Sequence, residues 1–359
     1  MEGFDNVYMG KTVLVTGHTG FKGSWLSIWL NELGANVIGY ALDPNTENDN
    51  FVLSGVGNKI IDIRGDIRDT DKLKDVFTQY KPEIVFHLAA QPLVRLSYSI
   101  PVETYVVNVM GTINVLEAIR TTESVRTGIM ITTDKCYENK EQICGYREVD
   151  PLGGYDPYSS SKACAELAIN SWRSSFFNPN NYNRHKKAIA SVRAGNVIGG
   201  GDWALDRLVP DCVRAMERKE PIKIRNPEAI RPWQHVLEPL GGYLMLGKKM
   251  SEEPASFSEA WNFGPNFESM ITVKEIVEII LVTYGGGSVS LYESPDKIHE
   301  ATILNLDINK AVSKLGWKPE FTIEESIEMT INWYKKYQDD NIYSECTRQI
   351  NKMMERINR

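Results

Sequence analysis

Two stretches of the chain carry side chains that could do acid–base chemistry. After an apolar run, residues 132–137 read Thr-Thr-Asp-Lys-Cys-Tyr, so Thr133, Asp134 and Lys135 bring a hydroxyl, an acid and an amine together. Residues 153–166 read GGYDPYSSSKACAE, with Tyr158 and Lys162 four apart. On a helix that spacing puts both on one face. An ammonium near a phenol favours the phenolate and lowers its pKa. Tyr158 is then a candidate general base, with Thr133 able to bond the same substrate hydroxyl. The plain alternative is an ordinary surface Tyr–Lys pair. A glycine loop upstream and the polar strand end favour the catalytic reading.

These groups need a scaffold. Val13, Leu14 and Val15 predict a buried strand, followed by Gly17, Gly20 and Gly23 and by an apolar helical stripe over 24–33. Strand, glycine turn and helix in this order suit a dinucleotide. Gly17 allows the tight turn, Gly20 lets backbone approach a pyrophosphate, and Gly23 lets the helix pack on the strand. His18, Phe21 and Lys22 lie in the same loop, and His18 is expected near the pyrophosphate. If so, cofactor affinity would weaken as pH rises through its pKa.

Further strands are expected at 36–43, 59–63, 82–88, 128–132 and 190–199, and an edge strand at 260–263, with helices between. This alternation predicts an α/β protein: a doubly wound parallel sheet of Rossmann type with a smaller C-terminal α/β substrate-binding domain. The expected division gives 1–196 and about 235–268 to the nucleotide domain, and 197–234 and 269–359 to the substrate domain. Ligands of such sheets sit at the carboxyl ends of strands, so the residues just after each strand are the candidates. Asp43 could bind the adenosine ribose or be a loop aspartate before Pro44. Asp66, beside Ile67, could reach the adenine or cap the helix near Thr70. Ala89, Ala90 and Gln91 would admit a cofactor. Asn108 and Thr132 complete the cofactor set, together with Tyr158 and Lys162. His87 is expected to be a satisfied strand-end histidine. No Arg or Lys lies between Gly23 and Lys59, which favours NAD over NADP.

Composition narrows the class. The 359 residues are 42% hydrophobic and 24% charged, ordinary for a globular enzyme-sized chain. A net charge of −7 argues against a nucleic-acid partner. No run of 18 apolar residues suggests a membrane span, and the start MEGFDNVYMG lacks the pattern of a secretory signal. Five scattered cysteines without a Cys-x-x-Cys pair read as reduced thiols in a cytoplasmic protein with no metal site.

Taken together, Gly17-His18-Thr19-Gly20-Phe21-Lys22-Gly23, Leu88-Ala89-Ala90, Asn108-x-x-Gly111-Thr112, Thr133-Asp134 and Tyr158-Ser-Ser-Ser-Lys162 resemble the extended short-chain dehydrogenase/reductases over nearly the whole chain. GHTGFKGSWL, TTDKCYENKE and YREVDPLGGYDPYSSSKACAE look most like the nucleotide-sugar 4,6-dehydratases, in particular those acting on CDP-glucose. The resemblance implies a cycle. Tyr158 takes the C4 hydroxyl proton while hydride passes to NAD, the 4-keto group acidifies C5, Asp134 helps the C6 hydroxyl leave as water, and hydride returns to C6. Related dehydratases carry Asp-Glu, with the glutamate as C5 base. Here Lys135 follows Asp134. Lys135 is either that base, with its pKa pulled down by burial or Lys162, or a group that polarises the keto oxygen or stabilises the enolate.

The second half suits the substrate. PIKIRNPEAIRPWQHV (221–236) mixes cations and aromatics, as a nucleoside diphosphate needs, although an exposed basic loop is the alternative. The resemblance points to Asn196, Arg207 and Arg231 as nucleotide-sugar contacts. His299 could reach the phosphates or ribose, or be a surface turn. Helices are expected at 271–281, 309–315 and 324–336. The tail from Gln338 reads as a loosely attached helix or a subunit contact. The family commonly pairs helices like those at 101–120 and 155–178, giving a homodimer or homotetramer. An epimerase or reductase on a nucleotide sugar would not need Asp134 beside Lys135. A non-catalytic dinucleotide-binding regulator would be expected to lack Tyr158 or Lys162.

Overall fold

A computed structural model describes residues 4, 6–142, 144–292, 304–338 and 341–359. The strands are β1 (Thr12–Thr16), β2 (Asn36–Ala41), β3 (Ile61–Arg64), β4 (Ile84–His87), β5 (Thr127–Ile131), β6 (Ala188–Ala194), β7 (Asn196–Ile198), β8 (Ile222–Ile224), β9 (Ile230–His235), β10 (Ala260–Phe263), β11 (Met270–Thr272) and β12 (Val289–Leu291). The longer helices are α1 (Phe21–Glu32), α2 (Thr70–Tyr80), α3 (Gly111–Thr121), α4 (Pro157–Ser175), α5 (Leu208–Glu217), α6 (Leu237–Glu252), α7 (Val273–Tyr284), α8 (Ile323–Lys336) and α9 (Ile342–Ile357).

Seven strands form one sheet in the order β10-β6-β5-β4-β1-β2-β3, every pair parallel. β1, β4 and β5 are apolar and shielded by helices on both faces, so they read as near-continuous hydrophobic runs. Strand order reverses between β1 and β4, and this is where a crevice opens at the carboxyl ends. The two strand ends close tightly there. A Cβ on Gly17 would come 2.7 Å from the Ala89 nitrogen, and one on Gly23 would come 2.0 Å from the Gly17 oxygen.

The run 190–199, expected as one strand, is two. Gly195 turns the chain from β6 into β7, which joins β9 and β11 in a three-stranded sheet. The helix expected over 101–120 is interrupted. Pro101–Tyr105 leads into a π-turn at Val106–Met110 before α3, a bulge that widens the turn. α7 starts at Val273 rather than 271 because Ile271 pairs with Arg231 in β11, and Thr272 caps the helix with Glu275 in a capping box. Asp69, not Asp66, caps α2 through the Lys72 N–H.

The tail is neither loose nor free. Ile342, Cys346, Ile350 and Met353 recur every three to four residues, are buried, and seat α9 against α1. α8 closes over β7, where a Cβ on Gly200 would overlap the Trp333 ring at 1.9 Å. All five cysteines are free thiols. Among the described residues, no helix is long and apolar enough to cross a membrane, and no His/Cys/Asp/Glu group is arranged to hold a metal.

Candidate active site

One cavity of about 1600 Å³ runs across the carboxyl ends of the strands and under β8 and β9. It exceeds the roughly 300–1,000 Å³ of a single-ligand pocket, so two ligands of nucleotide size can share it.

At one end lies the glycine loop. Gly17, Gly20, Phe21, Lys22 and Gly23 line the cavity. A Cβ on Gly20 would meet only the Gly17 oxygen, at 3.4 Å, so its absence leaves the floor open. α1 begins here with no side-chain cap and no acidic residue in its first turn, so its free N–H groups are left for an anion. Asp43, Asp66, Ile67, Ala89, Ala90 and Gln91 continue the lining. The residues therefore fit a dinucleotide.

Two of the expected cofactor residues are elsewhere. The His18 ring turns away from the cavity and lies fully buried against Gly39 and Phe51, with Nε2 2.8 Å from Asp62 Oδ1. Burial holds its pKa below the usual histidine value, against the pull of Asp62. The expectation of a His18 side chain near a pyrophosphate is therefore corrected. Asn108 sits in the π-turn beneath the surface. It accepts from the Gln91 N–H at 2.8 Å and donates to the Gln91 carbonyl and to Ser161 Oγ. It thus orients Gln91 and α4 rather than facing a ligand. His87 is satisfied as expected, between Thr16 and Thr112, and burial lowers its pKa to about 3.

At the centre, β5 delivers Thr132–Lys135 and α4 delivers Tyr158 and Lys162. Asp134 is buried, and its Oδ1 accepts from Thr133 Oγ1 at 2.9 Å and from Lys135 Nζ at 3.3 Å. Lys135 Nζ also reaches Asn196 Oδ1 at 3.4 Å, which joins the nucleotide half to β7. Gly195 leaves room here, since a Cβ would lie 3.1 Å from Asp134 Oδ2, a tight contact. Thr133 is also hydrogen-bonded to the Tyr158 phenol.

The electrostatics differ from the simple sequence argument. Burial dominates Tyr158 and pushes its pKa up to about 12, with Thr133 opposing and Asp134 adding to the rise. Burial also brings Lys162 down to about 8, while Glu166 opposes. The phenol is therefore protonated at neutral pH. Lys22 is likewise brought to about 8, first by burial and then by Arg207, partly countered by Asp134. Its neighbours Lys135 and Lys162 make this a cluster of cations around one carboxylate.

Beneath this cluster lies a polar network centred on two residues outside the expected site set. Glu166 accepts from Arg193 at 2.7 Å, from Ser191 at 2.8 Å and from Thr132. Arg193 also donates to the Tyr137 hydroxyl at 2.7 Å, and Tyr137 donates to Asn262. Burial opposes ionisation of Glu166, but Arg193 and the two hydroxyls hold its pKa below the usual range. Glu166 follows Lys162 by four residues, so helical spacing alone would have found it.

The far end is basic. Asn196, Arg207, Lys223, Arg225 and Arg231 line the cavity. Arg207 pairs with Asp202 at 2.7 Å and Arg225 with Asp206 at 2.6 Å. His235, in the same sequence stretch, is instead fully buried against Trp25 and Phe321. His299 lies outside the described residues.

A family model described as GDP-mannose 4,6 dehydratase matches residues 14–330. CDP-glucose 4,6-dehydratase of Salmonella typhimurium is 51% identical over 332 residues, covering 92% of each chain. Two crystal structures share the fold. UDP-glucose 4-epimerase of Thermotoga maritima with UDP-glucose has a TM-score of 0.77 at 23% identity, covering 91% of this chain and 100% of that one. dTDP-glucose 4,6-dehydratase of Bacillus anthracis in complex with NAD has 0.75 at 21%, covering 91% and 97%.

Proposed function

Because the chain belongs to the GDP-mannose 4,6 dehydratase family, we propose that it is an NAD-dependent hydro-lyase converting CDP-glucose to CDP-4-keto-6-deoxyglucose. The observation that carries this reading is the meeting of Thr133, Asp134, Lys135, Tyr158 and Asn196 in one cavity, between a dinucleotide cradle and a basic end.

NAD when bound would supply the acceptor and donor of hydride. Gly17, Gly20, Phe21, Lys22 and Gly23 would hold its phosphates, Asp43 and Asp66 its adenosine end, and Ala89, Ala90, Gln91, Thr132, Tyr158 and Lys162 its inner half. Arg207 and Arg231 hold the sugar nucleotide's diphosphate. Tyr158 accepts the C4 hydroxyl proton, with Thr133 steering that hydroxyl. A phenol pushed up to about 12 by burial is a poor base at neutral pH, so ligand binding must lower it, and Lys162 is placed to help. Once C4 is a ketone, C5–H is acidic. Lys135 takes that proton, Asp134 delivers one to the departing C6 hydroxyl, and water leaves; the hydride taken from C4 would then return to C6 and a proton from solvent to C5, which completes the 4-keto-6-deoxy product. The 3.3 Å contact between Lys135 Nζ and Asp134 Oδ1 gives the proton a direct route from one to the other.

The division at 1–196 with about 235–268, against 197–234 with 269–359, matches these two roles. α9 is the exception in packing, since it lies against α1. The apolar side chains Val102, Met110 and Leu167, exposed on neighbouring helical segments, support a homo-oligomer formed through that face. A reduced cytoplasmic setting suits the five free thiols.

Incubation of the protein with CDP-glucose and NAD should yield the 4-keto product, read by its alkaline absorbance. Turnover of dTDP- or GDP-glucose without turnover of CDP-glucose would overturn the substrate assignment.

A further inference from the structure

One carboxylate joins the basic end of the cavity to the opposite wall. It sits on the segment 202–207, between β7 and α5, whose base is fixed. Tyr334 donates to the Asp202 carbonyl at 2.6 Å. The Asp202 side chain accepts from the Ala204 N–H at 3.2 Å and pairs with Arg207. Arg214 donates to the carbonyls of Trp203 and Ala204. The tip of the segment stands clear. Leu205 is exposed, and Asp206 has a φ of +60°, a left-handed conformation that aspartate tolerates better than most residues.

From this tip Asp206 Oδ1 meets two arginines. Arg225, just after β8, donates to it at 2.6 Å. Arg95 approaches from the nucleotide half, with Nε 3.7 Å away. All three residues line the cavity. The Asp206 side chain is 44% exposed, against 23% for Arg95 and 29% for Arg225, so the carboxylate is the outermost of the three. Arg95 belongs to the short helix Val94–Ser99, which packs on α4. Ser97 of that helix accepts the Tyr158 N–H at 3.2 Å. The wall that Asp206 reaches is thus fastened to the helix that carries the Tyr158 phenol.

Ion pairs this exposed add little to stability, and they break and re-form readily. Their effect here is geometric. They draw a loop tip, hinged on a fixed base, across the mouth of the cavity. We propose that Asp206 and Arg95 form a clasp over the nucleotide sugar, which keeps it seated between the catalytic cluster and the basic end. A bound nucleoside diphosphate leaves only when Asp206 lets go of Arg95. This inference rests on the reading of the basic end as the nucleotide-sugar site.

The test is the dissociation rate of CDP from the full-length protein, followed by stopped-flow tryptophan fluorescence, since Trp203 and Trp233 line the cavity. Asp206→Asn and Arg95→Gln should each speed dissociation by about fivefold, the upper scale of an exposed ion pair. The double variant should be no faster than Asp206→Asn alone, because both changes remove the same contact. Backbone hydrogen exchange reads the clasp with no nucleotide added: residues 203–207 should exchange faster in both single variants. Unchanged dissociation in either single variant, a further gain in the double, slower dissociation in Asp206→Asn, or unchanged exchange would overturn the clasp. Failure of the wild type to bind CDP, with exchange raised in the variants, would overturn the nucleotide reading of the basic end instead.

Discussion

Two Asp/Glu–Arg pairs sit at opposite ends of the nucleotide half, and their surroundings give them opposite uses. Glu166 and Arg193 are 2% and 4% exposed, and further hydrogen bonds saturate the carboxylate. Asp43 and Arg64 are 87% and 35% exposed and touch at 3.5 Å. A buried pair cannot exchange partners, because either charge left alone in the interior is very costly. An exposed pair contributes little to stability and gives way readily to a ligand. The first therefore fixes the ends of β5 and β6, beside Asp134 and Lys135. The second is suited to recognition.

The sharpest way to break this comparison is Glu166→Ala. It strands Arg193 and should cost about 3–5 kcal/mol in denaturant unfolding. A loss under 1 kcal/mol would put Glu166 in the same class as the exposed pair. Tyr158→Phe comes next. It removes the proton acceptor from the fixed cluster and should lower turnover of CDP-glucose by about 10³-fold while NAD still binds. Turnover within tenfold of wild type would remove Tyr158 from the chemistry.

Glu238 sharpens the comparison with a second way of burying a carboxylate. It has no cation partner within hydrogen-bonding distance among the described residues and accepts the Glu320 and Phe321 N–H groups, and burial pushes its pKa up to about 8 despite them. The folded state then holds a proton between about 4.5 and 8 that the unfolded state releases, so this contribution to stability is lost as pH rises through that window. Glu238→Gln, which cannot ionise, should flatten that fall in an unfolding series from pH 5 to 9. An unaltered slope would refute the assignment. The smallest effect belongs to the exposed pair, where Asp43→Asn should change stability by less than about 1 kcal/mol, measured by the same unfolding.

Elements whose structure follows from local periodicity were legible. The apolar strands, the glycine loop, the Tyr158–Lys162 face and the edge strand 260–263 all read from nearest neighbours in sequence. What was not legible depends on strand adjacency. His18 is captured by Asp62 and Asp43 meets Arg64 only because β3 lies beside β2. Arg193 reaches Glu166 only because α4 packs over β6. The phenol pKa was misjudged because a lysine's pull was weighed without burial, which is the larger effect. The tight docking of α9, expected as a loosely attached helix or a subunit contact, was not legible because its stripe includes Cys346 and two methionines among many charged residues.

The most direct test of the central claim is transfer of a label within one turnover. CDP-glucose carrying deuterium at C4, incubated with the protein and unlabelled NAD, should give a product with that deuterium at C6 and a solvent-derived hydrogen at C5. In Lys135→Met the solvent hydrogen at C5 should no longer appear. A product without deuterium at C6, or C5 exchange undiminished in Lys135→Met, would contradict the account.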